Sequence, residues 1–298
     1  MIPADETFEG TWPFRPSFYD GNGFRMHYVE EGAGDPIVCL HGEPTWGYLY
    51  RCFIPRLARL GRVVVPDHMG FGKSATPQDR DYSIRAHVDN LESLLDHLRL
   101  TSITFVGQDW GGPIATGFAL RHPERVKRLC YMNTGVPGRA PKGARTVADL
   151  PWFQWVKTAE SQAVLANLGA TILSVMKRIG FERAAHVDET WVRAYAAAFP
   201  TPADCKGALQ FPACINAPET VATILEHIAN LPQLAAKPAM YLHGEADRAI
   251  PTEMSVGAFR STWPKGPVVT LPGVGHFIQE DAPETACALI EQFVQMTE

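Results

Sequence analysis

The 298-residue chain sets 27 Lys and Arg against 32 Asp and Glu, a formal net charge of −5, with 46% hydrophobic and 20% charged residues. This is the balance of a water-soluble globular protein with a substantial core, long enough for two domains or for one domain carrying an insertion. The mild acidity, with no extended Lys/Arg cluster, argues against nucleic acid or an anionic membrane surface as partner.

Residues Met1-Ile2-Pro3-Ala4-Asp5-Glu6 carry acids where a signal peptide needs bases. No window approaches the ~18 apolar residues of a membrane span. Cys39, Cys52, Cys130, Cys205, Cys214 and Cys287 show no C-x-x-C spacing, and several lie in apolar runs. Free thiols and a cytoplasmic location are therefore expected.

Along the chain, short β-branched apolar runs predict strands over 24–29, 36–40, 62–66, 103–107, 128–133, 239–244 and 268–271. Between them, 83–98 reads as a helix with Ile84, His87, Val88, Leu91, Leu94, Leu95 and Leu98 on one face, and 284–294 repeats that pattern. Such alternation predicts an α/β fold: a mostly parallel central sheet flanked by helices. It breaks at the Gly- and Pro-rich segment 135–143, after which helical patterns without strand candidates run from about Leu150 to Thr223. The expected organisation is a core of 1–134 and 224–298, with a helical cap over 135–223. A cap at the carboxyl ends of the strands would enclose the site where such sheets bind ligands.

Gly107-Gln108-Asp109-Trp110-Gly111-Gly112 joins a predicted strand to a predicted helix. A G-x-nucleophile-x-G turn strains its central residue and projects that side chain above the sheet. Here the residue is Asp109, whose carboxylate can displace a leaving group from saturated carbon and form an ester. An N-cap is the bland alternative for this Asp. Asp247, in His243-Gly244-Glu245-Ala246-Asp247, and His276, in Pro272-Gly273-Val274-Gly275-His276-Phe277, follow in the order nucleophile, acid, histidine, each after a strand. The loop His41-Gly42-Glu43-Pro44-Thr45-Trp46 can aim the backbone N–H of Glu43 at the site. With the N–H of Trp110 it would form an oxyanion hole.

Gly70-Phe71-Gly72-Lys73-Ser74 is not a phosphate loop, because Asp67 occupies the place of the first glycine. The ten histidines show no H-E-x-x-H or Cys/His spacing, so no metal is expected. The chemistry requires no cofactor.

Five segments together resemble the haloalkane dehalogenase family of the α/β-hydrolase superfamily. They are His41 to Trp46, Pro66-Asp67-His68-Met69-Gly70-Phe71-Gly72-Lys73-Ser74, Gln108 to Gly112, Gly244 to Asp247, and Gly275-His276-Phe277. The resemblance implies an α/β-hydrolase fold with a helical cap inserted after the sixth strand. It also implies Asp109 as nucleophile, His276 as base, neutral at working pH, Asp247 as the acid orienting it, and Trp110 as one halide-binding indole. Some members carry Asn after the His-Gly pair as second halide donor. This chain has Glu43, whose carboxylate would repel a halide, so the donor should come from the cap. In Trp152-Phe153-Gln154-Trp155 the choice falls on Trp155, and Glu43 is expected to contribute only its N–H, with its side chain paired. Ala198 departs from the Pro usual in the family's cap.

The implied partners are a small haloalkane and a halide ion, and the chain is expected to be a monomer or small homo-oligomer. Three alternatives remain. Epoxide hydrolases use cap tyrosines, commonly a pair, whereas Tyr195 stands alone between Gly135 and Leu231. β-Lactone-cleaving relatives look alike around the nucleophile. A non-catalytic binding protein would gain nothing from keeping nucleophile, acid, base and oxyanion loop together.

Overall fold

The computed structural model describes residues 2–183 and 187–297. Eight strands form one sheet: β1 (Pro16–Tyr19), β2 (Met26–Glu31), β3 (Pro36–Leu40), β4 (Arg62–Pro66), β5 (Ile103–Gln108), β6 (Val126–Met132), β7 (Ala239–Gly244) and β8 (Val268–Leu271). Their order is β1-β2-β4-β3-β5-β6-β7-β8. The β1–β2 and β2–β4 pairs are antiparallel and the other pairs parallel. All residues of β3, β5 and β7 are buried, as expected of parallel strands covered on both faces.

β1 is absent from the sequence expectation. Its four residues, Pro-Ser-Phe-Tyr, are all half-buried and lack an apolar alternation, and its Pro opens an edge strand where no ladder donor is needed.

The helices are α1 (Ile54–Leu57), α2 (Ile84–His97), α3 (Gly111–Arg121), α4 (Pro151–Trp155), α5 (Ala159–Leu165), α6 (Leu168–Ile179), α7 (Glu189–Ala196), α8 (Lys206–Cys214), α9 (Pro218–Leu225), α10 (Leu231–Ala235), α11 (Thr252–Thr262), α12 (Ile278–Asp281) and α13 (Pro283–Met296). Ser83 caps α2 by accepting from the Ala86 N–H, and the predicted stripe faces inward except Leu98, which is half-buried at the C-cap. Helices α4 to α9 lie between β6 and β7. The expected limit at residue 223 falls inside α9, which packs on α2 and α3. Among the described residues no helix is long and apolar enough to cross a membrane.

Sequence order and sheet order part company between β3 and β5. From β3 the chain steps to β4 on one side, then crosses to β5 on the other. In open α/β sheets the crevice at such a switch point receives ligands. The loop after β3 and the turn after β5 meet there.

Asp67, fully buried at the end of β4, fixes that loop. It accepts from His27 Nδ1, from the Gly47 N–H and from the Lys73 N–H, each at 2.8 Å. Removing a buried carboxylate leaves its donors unpaired, a loss of about 3–5 kcal/mol. Asp67→Ala is expected to lower the unfolding free energy by about that amount. A urea melt that moves by less than about 1 kcal/mol would show that water replaces the carboxylate freely.

Candidate active site

The turn after β5 places Asp109 at φ +50°, a conformation costing a non-glycine residue about 1–3 kcal/mol. It is held by hydrogen bonds: Asp109 N–H donates to Asn133 O (3.2 Å), and Thr134 Oγ1 donates to Asp109 O (2.5 Å). The carboxylate then lies against the loop after β3. A Cβ at Gly42 would stand 2.2 Å from Asp109 Oδ1, so only glycine lets the two segments approach. The approach lets the Glu43 N–H donate to Asp109 Oδ1 at 2.8 Å. Trp110 sits at the N-cap of α3, where no helical carbonyl precedes its N–H.

His276, buried after β8, has Nε2 3.3 Å from Asp109 Oδ2 and Nδ1 2.9 Å from Asp247 Oδ2. Asp247 Oδ1 accepts from the N–H groups of Ala249 (2.7 Å) and Ile250 (3.0 Å). The structure thus brings Asp109, His276 and Asp247 into one line. Asn133, which sequence reasoning passed over, braces the acid: its Nδ2 donates to Asp247 Oδ2 at 2.6 Å and its Oδ1 accepts from the Gly244 N–H. At φ +39° it occupies backbone space that Asn tolerates better than most residues. A polar residue closing an apolar strand was its one signal in the sequence.

The segment following α6 seats the histidine loop. His276 N–H donates to Gly180 O at 2.6 Å, just beyond α6, and a Cβ at Gly275 would come within 1.9 Å of that same oxygen. Asp281 accepts from the N–H groups of Gly275 (2.8 Å), Glu182 (3.1 Å) and Arg183 (2.9 Å).

A cavity of about 220 Å³ opens above Asp109, lined among others by Glu43, Trp110, Trp152, Ile179 and Ile250. Trp155 is the second donor expected from the sequence. Trp155 does not line the cavity: its Nε1 donates to Glu160 Oε1 at 3.2 Å, and the Arg178 guanidinium covers its ring at 4.3 Å. Trp152, one turn earlier in α4, presents its ring to the cavity instead, and its indole N–H has no protein acceptor among the described residues. Trp110 is likewise without an acceptor for Nε1, and Phe211 of α8 stacks on its ring at 5.2 Å.

Glu43 also departs from expectation. Its side chain is buried, lines the cavity and leaves Oε1 without a partner. Burial, reinforced by the Asp109 charge, raises its pKa well above the ordinary carboxyl value. That shift favours the uncharged acid, the form that would not repel a halide.

For His276, burial disfavours the charge, but Asp247 and Asp109 outweigh it and raise the pKa from 6.5 to about 10. The resting imidazole is therefore protonated, not neutral as expected from sequence. Loss of the Asp109 charge would remove one of the two neighbouring carboxylates and lower that pKa. Because the folded state holds this proton more tightly, the contribution of His276 to stability is complete below pH 6.5 and is lost as pH rises towards 10. Asp109→Asn should flatten that loss of stability between pH 7 and 10 in denaturation curves. Parallel curves for the two proteins would refute the coupling.

The family described as alpha/beta hydrolase fold matches residues 35–283. A cis-3-alkyl-4-alkyloxetan-2-one decarboxylase from Shewanella oneidensis is 33% identical over 297 residues, covering 96% of this chain and 90% of that protein. Haloalkane dehalogenase 2 from Mycobacterium tuberculosis is 32% identical over 293 residues, covering 95% of this chain and 96% of that protein. The crystal structure of haloalkane dehalogenase DbeA from Bradyrhizobium elkani superposes with a TM-score of 0.81 at 25% identity, covering 95% of this chain and 98% of that one. The chain is a member of the α/β-hydrolase family and groups there with the haloalkane dehalogenases.

Proposed function

We propose that the protein hydrolyses haloalkanes to an alcohol, a halide ion and a proton, through an alkyl ester on Asp109. One observation carries this reading. A carboxylate held at a positive-φ elbow faces an apolar cavity lined by two tryptophans, Trp110 and Trp152, whose indole N–H groups have no acceptor among the described residues.

Displacement at saturated carbon needs an anionic nucleophile in line with its leaving group and a site for the departing charge. Asp109 Oδ1 is held by the Glu43 N–H, so Oδ2 attacks carbon while the carbon–halogen electron pair leaves with the halide. The indole N–H groups of Trp110 and Trp152 are donors without charge, and they stabilise the halide without forming an ion pair that would trap it. The ester carbonyl then lies at the Glu43 N–H, with the Trp110 N–H as second oxyanion donor. Once alkylation removes the Asp109 charge and lowers the pKa of His276, the imidazole releases its proton to solvent, and the neutral ring then takes a proton from water attacking that carbonyl carbon. Asp247 orients the ring and stabilises the imidazolium. Collapse of the intermediate releases the alcohol and restores the carboxylate.

Helices α4 to α9 serve as the cap that shuts out bulk water. The six cysteines are unpaired, which suits the reducing cytoplasm. Tyr195 argues against epoxide hydrolysis: it is buried, donates to Glu280 Oε1 at 2.5 Å, and does not line the cavity. A second reading is opening of a β-lactone, favoured by Glu43, a cavity carboxyl whose raised pKa favours the protonated form that would give a proton to a departing ring oxygen. Bromide released from a bromoalkane, against a β-hydroxy acid formed from a dialkyloxetan-2-one, separates the two.

His276→Phe exposed to 1-bromobutane is expected to release one equivalent of bromide and to gain the mass of a butyl group on Asp109. An unmodified mass after prolonged exposure counts against the ester. A hydrogen bond to an ion contributes about 1.5–3 kcal/mol, so Trp152→Leu should weaken bromide binding by roughly tenfold or more. Trp155→Leu should leave it within about twofold, because that indole is engaged elsewhere. Halide quenching of tryptophan fluorescence measures both, and the reverse order would restore Trp155 as donor.

A further inference from the structure

The apolar wall of the cavity continues past its mouth. Val221 of α9 lines the cavity yet is 46% exposed; Leu225, one helical turn on, is 49% exposed, and Ile228, in the turn beyond the helix, 40%. Residues four apart are neighbours on a helix surface, so Val221 and Leu225 form a strip leading outward from the wall, where Ile224 also faces the cavity. Among the described residues these three and Met296, near the C-terminus, are the exposed large hydrophobic side chains. Single apolar residues on a surface mean little, but a run at the rim of an apolar cavity marks a contact surface. Nor does the nearest carboxylate interrupt it, because Glu226 is drawn towards α2 by Arg85 at 2.8 Å.

Size makes the strip matter. The cavity of about 220 Å³ holds about seven non-hydrogen atoms at the ~30 Å³ that a water molecule takes up in the liquid. A halogen and six carbons fill it.

We propose that the substrate carries an unbranched alkyl tail of about eight carbons or more, its reacting carbon at Asp109 and its distal methylenes lying on Val221, Leu225 and Ile228. This substrate class rests on the dehalogenase reading for its chemistry, while the strip itself stands on its continuity with the cavity. An aliphatic chain is the occupant that fits, because the strip is one or two side chains wide and begins inside the catalytic chamber.

The test uses the full chain and two series, 1-bromobutane to 1-bromodecane for bromide release and 1-butanol to 1-decanol for binding, followed by tryptophan fluorescence. Both kcat/KM and alcohol affinity are expected to keep rising past six carbons, by about two- to fourfold per methylene. Leu225→Glu, and independently Ile228→Ser, should flatten the rise beyond six carbons while 1-bromobutane stays within about twofold of the parent protein. A plateau at six carbons in the parent protein, or equal losses at every length in both variants, overturns the proposal. So does a dimer that Leu225→Glu dissolves alongside a flat alcohol series, which would assign the strip to a second copy of the chain. If no bromoalkane releases bromide but alcohol affinity climbs with length and the variants flatten it, the alkyl strip holds and the dehalogenase reading falls.

Discussion

The site is organised by one charged cluster, two carboxylates flanking a single imidazole in a place that water hardly reaches. Asp109 and Asp247 lie on opposite ring nitrogens of His276, whose side chain is buried with that of Asp247 while Asp109 is half-buried at the cavity. Moving one charge therefore moves the proton affinity of the rest. Alkylation of the nucleophile would be such a move, so the first half-reaction would prepare the base for the second. The backbone serves that cluster: the positive-φ turn at Asp109, the close approach of Gly42, and the amide groups that hold Asp247.

The helices between β6 and β7 are joined to the loops that carry Glu43 and His276 by polar contacts as well as by packing. Glu280, four residues past His276, accepts from Arg51 Nη1 (2.5 Å), Trp191 Nε1 (3.1 Å) and Tyr195 Oη (2.5 Å), linking α12 to α7. Trp46, at the end of the loop after β3, donates from Nε1 to Ala194 O of α7 at 2.9 Å. Breaking buried charged contacts of this kind is costly, so α7 and the segment following α6 are fixed relative to His276 and Glu43.

Much of the fold was legible because buried parallel strands announce themselves as apolar runs, and the strands predicted over 36–40, 62–66, 239–244 and 268–271 coincide with β3, β4, β7 and β8. Asp109, Asp247 and His276 could be named because each sits in a loop whose glycines tell what the backbone must do there. Other features depended on contacts distant in sequence. Asn133 meets Asp247 only because β6 and β7 are neighbours in the sheet. Trp152 and Trp155 are three residues apart on one short helix, and what separates them is Glu160 and Arg178, partners that no spacing reveals. The raised pKa of Glu43 follows from depth and that of His276 from neighbouring charge, and periodicity encodes neither.

The placement of Phe211 carries a consequence for how such a protein diversifies. Its ring, on α8, presses flat against the Trp110 indole, while Trp152 arrives on α4. One indole is thus supplied by the helical insert and the other is steadied by it. In the proposed reaction, exchanging the insert for a foreign one would alter the grip on the departing ion together with the room for the organic part. Volume and leaving-group affinity are inherited as a package, and a graft chosen for size alone would unsettle the chemistry.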